Sequence, residues 1–158
     1  AYWGHRWAHT VPLLWRFHAV HHSSEHLDWV AASRLHPFDQ TFIRVCGILP
    51  VYLLGFTKET FGALIAFAGL LALFIHANVR WRFGWLEWLV ATPAFHHWHH
   101  ANEGPETSNK NFSGLLPWMD WVFGPFYLPK KFPAKYGINE PMPTNYVSQL
   151  AEPFKRRE

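Results

Sequence analysis

The sequence predicts an all-α, membrane-associated protein in which a transmembrane helical hairpin carries a cytoplasmic, histidine-rich helical cap. Three observations lead to this prediction. The 158-residue chain is 49% hydrophobic and only 16% charged, a low charged fraction for a soluble domain. Two long segments near its middle carry no charged side chain. Eight of its 12 histidines fall into three short clusters with helical spacing.

The first two histidine clusters lie in residues 1–26, which are predicted to be helical with a break near Pro12. These clusters are His5 and His9, followed by His18, His21 and His22. Because positions i, i+3 and i+4 of a helix share one face, each cluster is expected to direct its imidazoles in one direction.

The central part of the chain, about residues 41–79, predicts the membrane hairpin. Residues 45–56 have no charge, and 61–79 are interrupted only by His76 and Asn78. The second segment nearly reaches the roughly 20 apolar residues that a spanning helix needs, whereas the first is shorter and contains a proline. The alternative is a pair of buried helices in a soluble domain. Tryptophans on both flanks favour the membrane, since Trp is enriched at the membrane–water interface.

The third cluster is predicted on a helix that starts at Thr92-Pro93, because proline is favoured in a first helical turn. Its histidines on one face are His96, His99 and His100, and His97 faces away. A short amphipathic helix at 84–91 is expected before it. A loop rich in Asn, Gly, Ser and Thr follows, and then a short aromatic helix at Trp118–Phe123.

The hairpin also predicts on which side of the membrane the clusters lie. If the three clusters share one metal centre, they must lie on one side, and a hairpin returns the chain to the side it left. Arg and Lys dominate that side, while the hairpin tip has one Lys and one Glu. The positive-inside rule therefore predicts an integral membrane protein with its histidine clusters on the cytoplasmic side.

The composition limits the possible chemistry of these clusters. The single cysteine, Cys46, excludes both a disulfide framework and a thiolate metal site. Basic residues are scattered rather than arranged in a stripe, so no nucleic-acid partner is predicted. Imidazole is the commonest protein ligand for transition metals, and this many nitrogens predict two metal ions. Structural zinc is the alternative, but such sites need four ligands and use cysteine prominently.

The order of these motifs resembles that of the fatty acid hydroxylase/sterol desaturase superfamily, whose members are integral-membrane enzymes with a non-haem di-iron centre. The resemblance extends to residues 15–23, to Arg34-Leu-His-Pro37, and to the closing elements at 111–114 and 118–124. It covers residues 1–138, which are predicted to form one catalytic domain. An extended C-terminal tail is expected at 139–158.

The sequence departs from the superfamily pattern at two positions. Ser113 and Pro125 stand where Gly and Thr are more usual, and neither carries the chemistry. Superfamily members usually have transmembrane helices before the first histidine cluster. Because this sequence starts at Ala1, close to its first cluster, such helices are expected upstream in a longer protein.

The resemblance implies a specific set of site residues. The metal ligands would be His5, His9, His18, His21, His22, His76, His96, His99 and His100. The residues that orient them would be Asp120, Asn78 and Asn111. A carboxylate that accepts a ligand's N–H fixes its tautomer and raises its basicity, which is the role expected for Asp120. The resemblance implies two iron ions and O₂ as co-substrate. Zinc can replace the iron in isolated protein, because imidazole sites bind Zn²⁺ more tightly.

The function implied by the resemblance is O₂-dependent oxidation of a lipid C–H bond, either hydroxylation or desaturation. The substrate would be a sterol, a fatty acyl chain or a related lipid. No dinucleotide-binding motif is present, so an external reductase or ferredoxin-type carrier is expected to supply electrons. The alternatives are a histidine-rich membrane protein that binds or transports metal without oxygen chemistry, and a bis-histidine haem cytochrome. His26 and His36 are interpreted as residues outside the site.

Overall fold

The computed structural model describes residues 1–155, and this range is all-helical, which confirms the predicted class at that level. Seven α-helices occur in it, together with three 3₁₀ helices. The α-helices are α1 (Tyr2–Thr10), α2 (Pro12–His22), α3 (Pro37–Leu53), α4 (Lys58–His76), α5 (Pro93–His99), α6 (Trp118–Phe123) and α7 (Tyr146–Ala151).

The predicted break near Pro12 separates α1 from α2. Val11 between them is extended, with φ −95° and ψ 116°, and Pro12 occupies the first turn of α2, where a missing N–H leaves no bond unmade. Both helices pack against each other and against α3. Gly4 allows the close approach of α1 to α3, because a Cβ atom there would lie 2.6 Å from Cβ of Cys46.

Helix α4 has the length and composition of a membrane span, with 19 residues, a mean hydropathy of 1.8 and 11% of its most apolar window buried. Within residues 1–155 no other helix meets these criteria. Helix α3 carries Asp39 and Arg44 in its first half, although its C-terminal end exposes Leu53 and Leu54 to the surroundings. One candidate span is therefore present, and the second leg of the hairpin stays a prediction.

Helix α5 lies at the centre of the molecule, and all seven of its residues are buried. It begins where predicted: the Thr92 side chain accepts a hydrogen bond from the Phe95 N–H, and Pro93 follows. The amphipathic segment before it forms a 3₁₀ helix, Gly84–Trp88, rather than a longer α-helix. An ion pair between Arg82 and the buried Glu87 stabilises this segment, with 2.8 Å between Nη2 and Oε2.

The C-terminal tail is not wholly extended, so that prediction was wrong in part. Asn145 accepts a hydrogen bond from the Ser148 N–H and starts α7, and a 3₁₀ helix, Glu152–Phe154, follows. The buried Gln149 holds α7 in place by donating to the Pro143 carbonyl. Prolines suggested an extended chain, but Pro141 and Pro143 precede this cap, and Pro153 lies in the first turn of the 3₁₀ helix, where proline is tolerated. The basic residues 156–157 lie outside the described range.

Candidate metal centre

The nine predicted histidine ligands come together in the interior, between α1, α2, α4 and α5. They form two groups, in each of which the donor nitrogens lie within 4.8 Å of one another. The five-histidine group consists of His5, His9, His18, His22 and His99. The four-histidine group consists of His21, His76, His96 and His100. The groups are neighbours, since the stacked rings of His22 and His100 have centroids 4.2 Å apart.

Each H-x-x-H-H motif is divided between the two groups. In α2, His18 and His22 belong to the five-histidine group and His21 to the other. At α5 the division is reversed, because His96 and His100 join the four-histidine group and His99 does not. Residues i and i+4 remain together, while the residue at i+3 lies on the edge of the same face. The expectation that each cluster points one way was therefore too simple.

Five of the nine rings are held by a hydrogen bond from Nδ1 to an oxygen of the surrounding chain. The pairs are His5 with the Phe112 carbonyl (2.6 Å), His18 with the Asp39 carboxylate (3.0 Å), His21 with the Arg34 carbonyl (3.1 Å), His76 with the Ala72 carbonyl (2.7 Å) and His99 with the Lys110 carbonyl (2.8 Å). A ring whose Nδ1 donates to an oxygen has a free lone pair on Nε2. Each of these rings therefore presents Nε2 as a metal donor.

The contacts between Nε2 atoms fit a bound cation. His5 and His18 approach within 3.1 Å through their Nε2 atoms, and His21 and His76 within 3.2 Å. In both pairs Nδ1 donates elsewhere, so two lone pairs face each other without a proton between them. Such an arrangement is repulsive unless a cation lies between the nitrogens or nearby. A set of closely spaced imidazole donors of this kind binds divalent transition metals.

The family of this chain follows from a match to a protein-family model. Residues 1–125 match the family model described as fatty acid hydroxylase. This chain belongs to the fatty acid hydroxylase family. The resemblance drawn from the three histidine motifs is confirmed by this match.

Curated relatives of the family include several lipid enzymes. Ornithine lipid hydroxylase OlsE of Rhizobium tropici is 38% identical over 160 residues, which cover 99% of this chain and 47% of that protein. Alkylglycerol monooxygenase of Xenopus tropicalis is 34% identical over 143 residues, covering 90% of this chain and 31% of that protein. The chain thus spans less than half the length of these relatives. No solved structure matches it significantly.

A desaturase also belongs among the relatives. The putative Delta(7)-sterol-C5(6)-desaturase 2 of Arabidopsis thaliana is 24% identical over 132 residues, covering 81% of this chain and 44% of that protein. Hydroxylases, monooxygenases and desaturases are oxidoreductases. These relatives are therefore oxidoreductases by name.

Asp39 is a residue of the site that the sequence analysis missed. It lies in the first turn of α3, is 2% exposed and accepts a hydrogen bond from His18 Nδ1 at 3.0 Å. This is the interaction that was expected of Asp120. An acidic residue in a first helical turn usually interacts with the positive end of the helix dipole. The position of Asp39 therefore gave no sign of a contact with a histidine. Its position two residues after the Arg34-Leu-His-Pro37 motif was the available signal.

Asp120 acts on the site through the backbone and not through a histidine. Its two carboxylate oxygens accept hydrogen bonds from the Phe112 N–H (2.7 Å) and the Ser113 N–H (2.8 Å). The carbonyl of Phe112 in turn accepts the Nδ1 proton of His5. Burial raises the pKa of Asp120 to about 6, against the opposing effect of the two N–H donors. The carboxyl is therefore ionised at neutral pH and fixes the segment that orients His5.

The two asparagines predicted to orient the ligands differ in their positions. Asn111 is fully buried, donates to the carbonyls of Phe95 and Tyr127 and accepts from the Tyr127 N–H. It thereby fixes the backbone next to Lys110, whose carbonyl accepts from His99. Asn78 is exposed, and within residues 1–155 its side chain makes no hydrogen bond to a histidine of either group. The structure does not give Asn78 the predicted role.

Three further histidines lie outside both groups, as expected. His97 is buried, but its Nδ1 lies 2.8 Å from the Tyr136 hydroxyl and its Nε2 lies 3.1 Å from the Ala77 carbonyl. His36 accepts from the Phe38 N–H and so begins α3. His26 is exposed. These residues are useful as control positions.

We expect Asp120→Ala to lower the free energy of unfolding by about 2–6 kcal/mol. The reason is that two buried N–H groups lose their acceptor, at about 1–3 kcal/mol each. Chemical denaturation in detergent, followed by circular dichroism, measures the change. Glu106→Ala, which removes an exposed carboxylate, is the control and should leave stability unchanged. Equal stabilities of the two variants would show that Asp120 does not hold the 112–113 backbone.

Burial and mutual repulsion keep seven of the nine imidazoles neutral. Desolvation is the main cause, and neighbouring histidines the second, that lower the pKa well below 6.5 for His5, His9, His21, His22, His96 and His100. Burial lowers the pKa of His99 to about 3. Neutral imidazole is the form that binds metal, so the site is ready to bind metal at physiological pH.

These pKa shifts predict that the metal-free protein loses stability in acid. Below about pH 6.5 the unfolded chain binds protons that the folded chain excludes, which lowers the free energy of unfolding by up to about 1.4 kcal/mol per pH unit and histidine. Asp120, with its raised pKa, acts in the opposite direction between about pH 4 and 6, but it is one group against seven. The thermal unfolding midpoint should therefore drop between pH 7 and 5. A constant midpoint would contradict the burial of neutral imidazoles.

Proposed function

We propose that this chain is the catalytic part of an O₂-dependent membrane oxidoreductase that uses two iron ions to oxidise a lipid C–H bond. The observation that carries the proposal is the pair of adjacent groups made of nine histidines, seven of which are buried. Membership of the fatty acid hydroxylase family supports it. The relatives named as lipid hydroxylase and monooxygenase support it further.

The arrangement favours oxidation chemistry over structural metal binding or transport. Nine ligands exceed the four that a structural zinc ion uses, and the two groups are adjacent rather than distributed along a path. Two iron ions held by these groups would supply electrons for the reduction of O₂, replenished by an external carrier, and would so allow an unactivated C–H bond to be oxidised. Soluble di-iron helical bundles use carboxylates for this purpose, whereas both groups here consist of histidine.

The protein's own residues orient the ligands and cover most of the centre. The hydrogen bonds from Nδ1 fix ring orientation and tautomer at five positions, with Asp39 adding a negative charge behind His18. Phe112, which is 2% exposed, packs edge-on against His5 and His99. A preorganised, largely buried site of this kind limits side reactions of the oxidising centre.

A membrane lipid is the substrate class that we propose, with hydroxylation as the reaction. The relatives at 38% and 34% identity are named as a hydroxylase and a monooxygenase, and the desaturase is 24% identical. Helix α4 ends at His76, a member of the four-histidine group, so a lipid beside this helix would lie close to the centre. We further propose that the centre faces the cytoplasm and receives electrons from a separate carrier.

The test is oxygen incorporation by the iron-loaded, detergent-purified chain. It is supplied with a chemical reductant, ¹⁸O₂ and a membrane lipid extract, and the lipids are analysed by mass spectrometry. We expect about two iron ions per chain and a lipid product that contains one ¹⁸O atom. A desaturated product without label would replace hydroxylation by desaturation. Bound, exchangeable metal without consumption of O₂ would favour a metal-binding or transport protein instead.

A further inference from the structure

A cleft of about 270 Å³ connects the five-histidine group to the surface. Three ligands line it: His9, His22 and His99. Their Nε2 atoms are buried and have no hydrogen-bond partner within residues 1–155. The cleft therefore leads to the three nitrogens of the group whose lone pairs are not engaged in a hydrogen bond.

The outer part of the cleft is polar. Its lining includes Asn102, Ser108, Asn109 and Asn139. An apolar lipid chain entering here would remove these amides and this hydroxyl from water without replacing their hydrogen bonds, which is unfavourable. The cleft is therefore suited to a small, hydrated solute and not to the lipid substrate.

Glu140 is placed at the mouth of the cleft, beside Trp15. The Trp15 indole donates a hydrogen bond from Nε1 to Oε1 of Glu140 at 3.2 Å. The same indole ring lies against the rings of His9 and His22, with centroid distances of 5.2 and 5.6 Å. Glu140 itself is exposed. One carboxylate is thus linked, through one side chain, to two ligands that have an unpartnered nitrogen.

The position of Glu140 is fixed by contacts of the segment before it. Asn102, just after the third histidine motif, donates to Oδ1 of Asn139 at 2.9 Å, and its N–H donates to the Lys135 carbonyl. Gly137 turns the chain with φ 95°, a conformation that favours glycine. The loop that follows α5 therefore holds the residue next to Glu140 beside the cleft, and Trp15 holds the carboxylate itself.

We propose that Glu140 binds incoming divalent metal ions transiently and transfers them through this cleft to the five-histidine group, with Trp15 restraining the carboxylate between transfers. An exposed carboxylate attracts a hydrated cation and exchanges its waters readily. The nitrogens of His9, His22 and His99 then replace the carboxylate oxygens, because imidazole is the better ligand for these metals. The inference rests on the metal centre of the proposed function.

The test compares metal transfer rates with metal content at equilibrium. Anaerobic, metal-free protein in detergent is mixed with Co²⁺, and uptake is followed by visible absorption; EDTA then measures release. For Glu140→Gln we expect uptake and release both to slow by about tenfold, the lower end of electrostatic rate effects, with the cobalt content at equilibrium unchanged. Trp15→Phe keeps the ring but removes the donor, so both rates should increase severalfold.

Glu25→Gln is the matched control. Glu25 lines the larger neighbouring cavity and not the histidine cleft, so its loss should leave both rates nearly unchanged. Wild-type rates in Glu140→Gln, or equal slowing by Glu25→Gln, would overturn the transfer role. A lower equilibrium cobalt content in Glu140→Gln would show a resident ligand instead and would also overturn it. Failure of the wild type to bind cobalt would overturn the metal centre together with this inference.

Discussion

Replacing both His9 and His99 with alanine is expected to reduce the metal content from about two ions per chain to about one and to abolish lipid oxidation. Both residues belong only to the five-histidine group, so that group keeps three ligands while the other group keeps its full ligand set. The activity should fall by about a thousandfold or more, since catalytic groups that act as a unit fail together. Elemental analysis and the ¹⁸O assay measure the two effects.

His96→Ala is the complementary substitution, because His96 belongs to the four-histidine group. It should also leave about one ion, and the variant that combines all three substitutions should leave none. His26→Ala, at an exposed position, and His97→Gln, at a buried position beside His96, are the controls and should retain both ions. Two ions retained in either ligand variant, or complete loss in both, would refute the division into two groups.

Asp39→Ala is expected to weaken metal binding by about 10–100-fold, the range observed when a carboxylate behind a histidine ligand is removed. The carboxylate accepts the His18 Nδ1 proton at 3.0 Å, so its loss frees the ring to rotate and lowers the basicity of Nε2. Asp39→Asn keeps an oxygen acceptor without the charge and should lie between the wild type and the alanine variant. Competition with a chelator of known affinity gives the values.

The control for Asp39 is Asp28, which caps the N-terminus of a 3₁₀ helix. Asp28 accepts hydrogen bonds from the Val30 and Ala31 N–H groups and lies outside the metal centre. Asp28→Ala should leave metal affinity unchanged while lowering stability by about 1 kcal/mol. Wild-type metal affinity in Asp39→Ala would show that the carboxylate serves only α3.

Much of the site was predictable because its ligands share one residue type at regular spacing. All nine histidines were selected from the sequence, and His76 was included although it stands alone at the end of an apolar segment. The oxygens that hold the rings were not predictable in the same way. The carbonyls of Phe112, Arg34 and Lys110 depend on backbone position, and a carbonyl carries no signal of residue identity.

The fold shows the same division between local and distant determinants. The starts of α2 and α5 followed from Pro12 and Pro93, which act locally. The roles of Asp39 and Asp120 depend on which segments meet in three dimensions. Asp120 was expected to accept a hydrogen bond from a histidine ligand, and in the structure Asp39 makes that contact. The helix in the tail was hidden because the prolines before Asn145 suggested a continuous extended chain.

The division of ligands among the helices gives each metal position some independence. Helices α2 and α5, the latter with His100 at its end, contribute to both groups, whereas α1 contributes only to the five-histidine group and α4 only to the other. A change in α1 would therefore alter the ligand field at one proposed metal position while the other keeps its complete set. Substitutions in α1 or α4 offer a route to a mixed-metal centre, in which the two positions differ in redox potential within one shared scaffold.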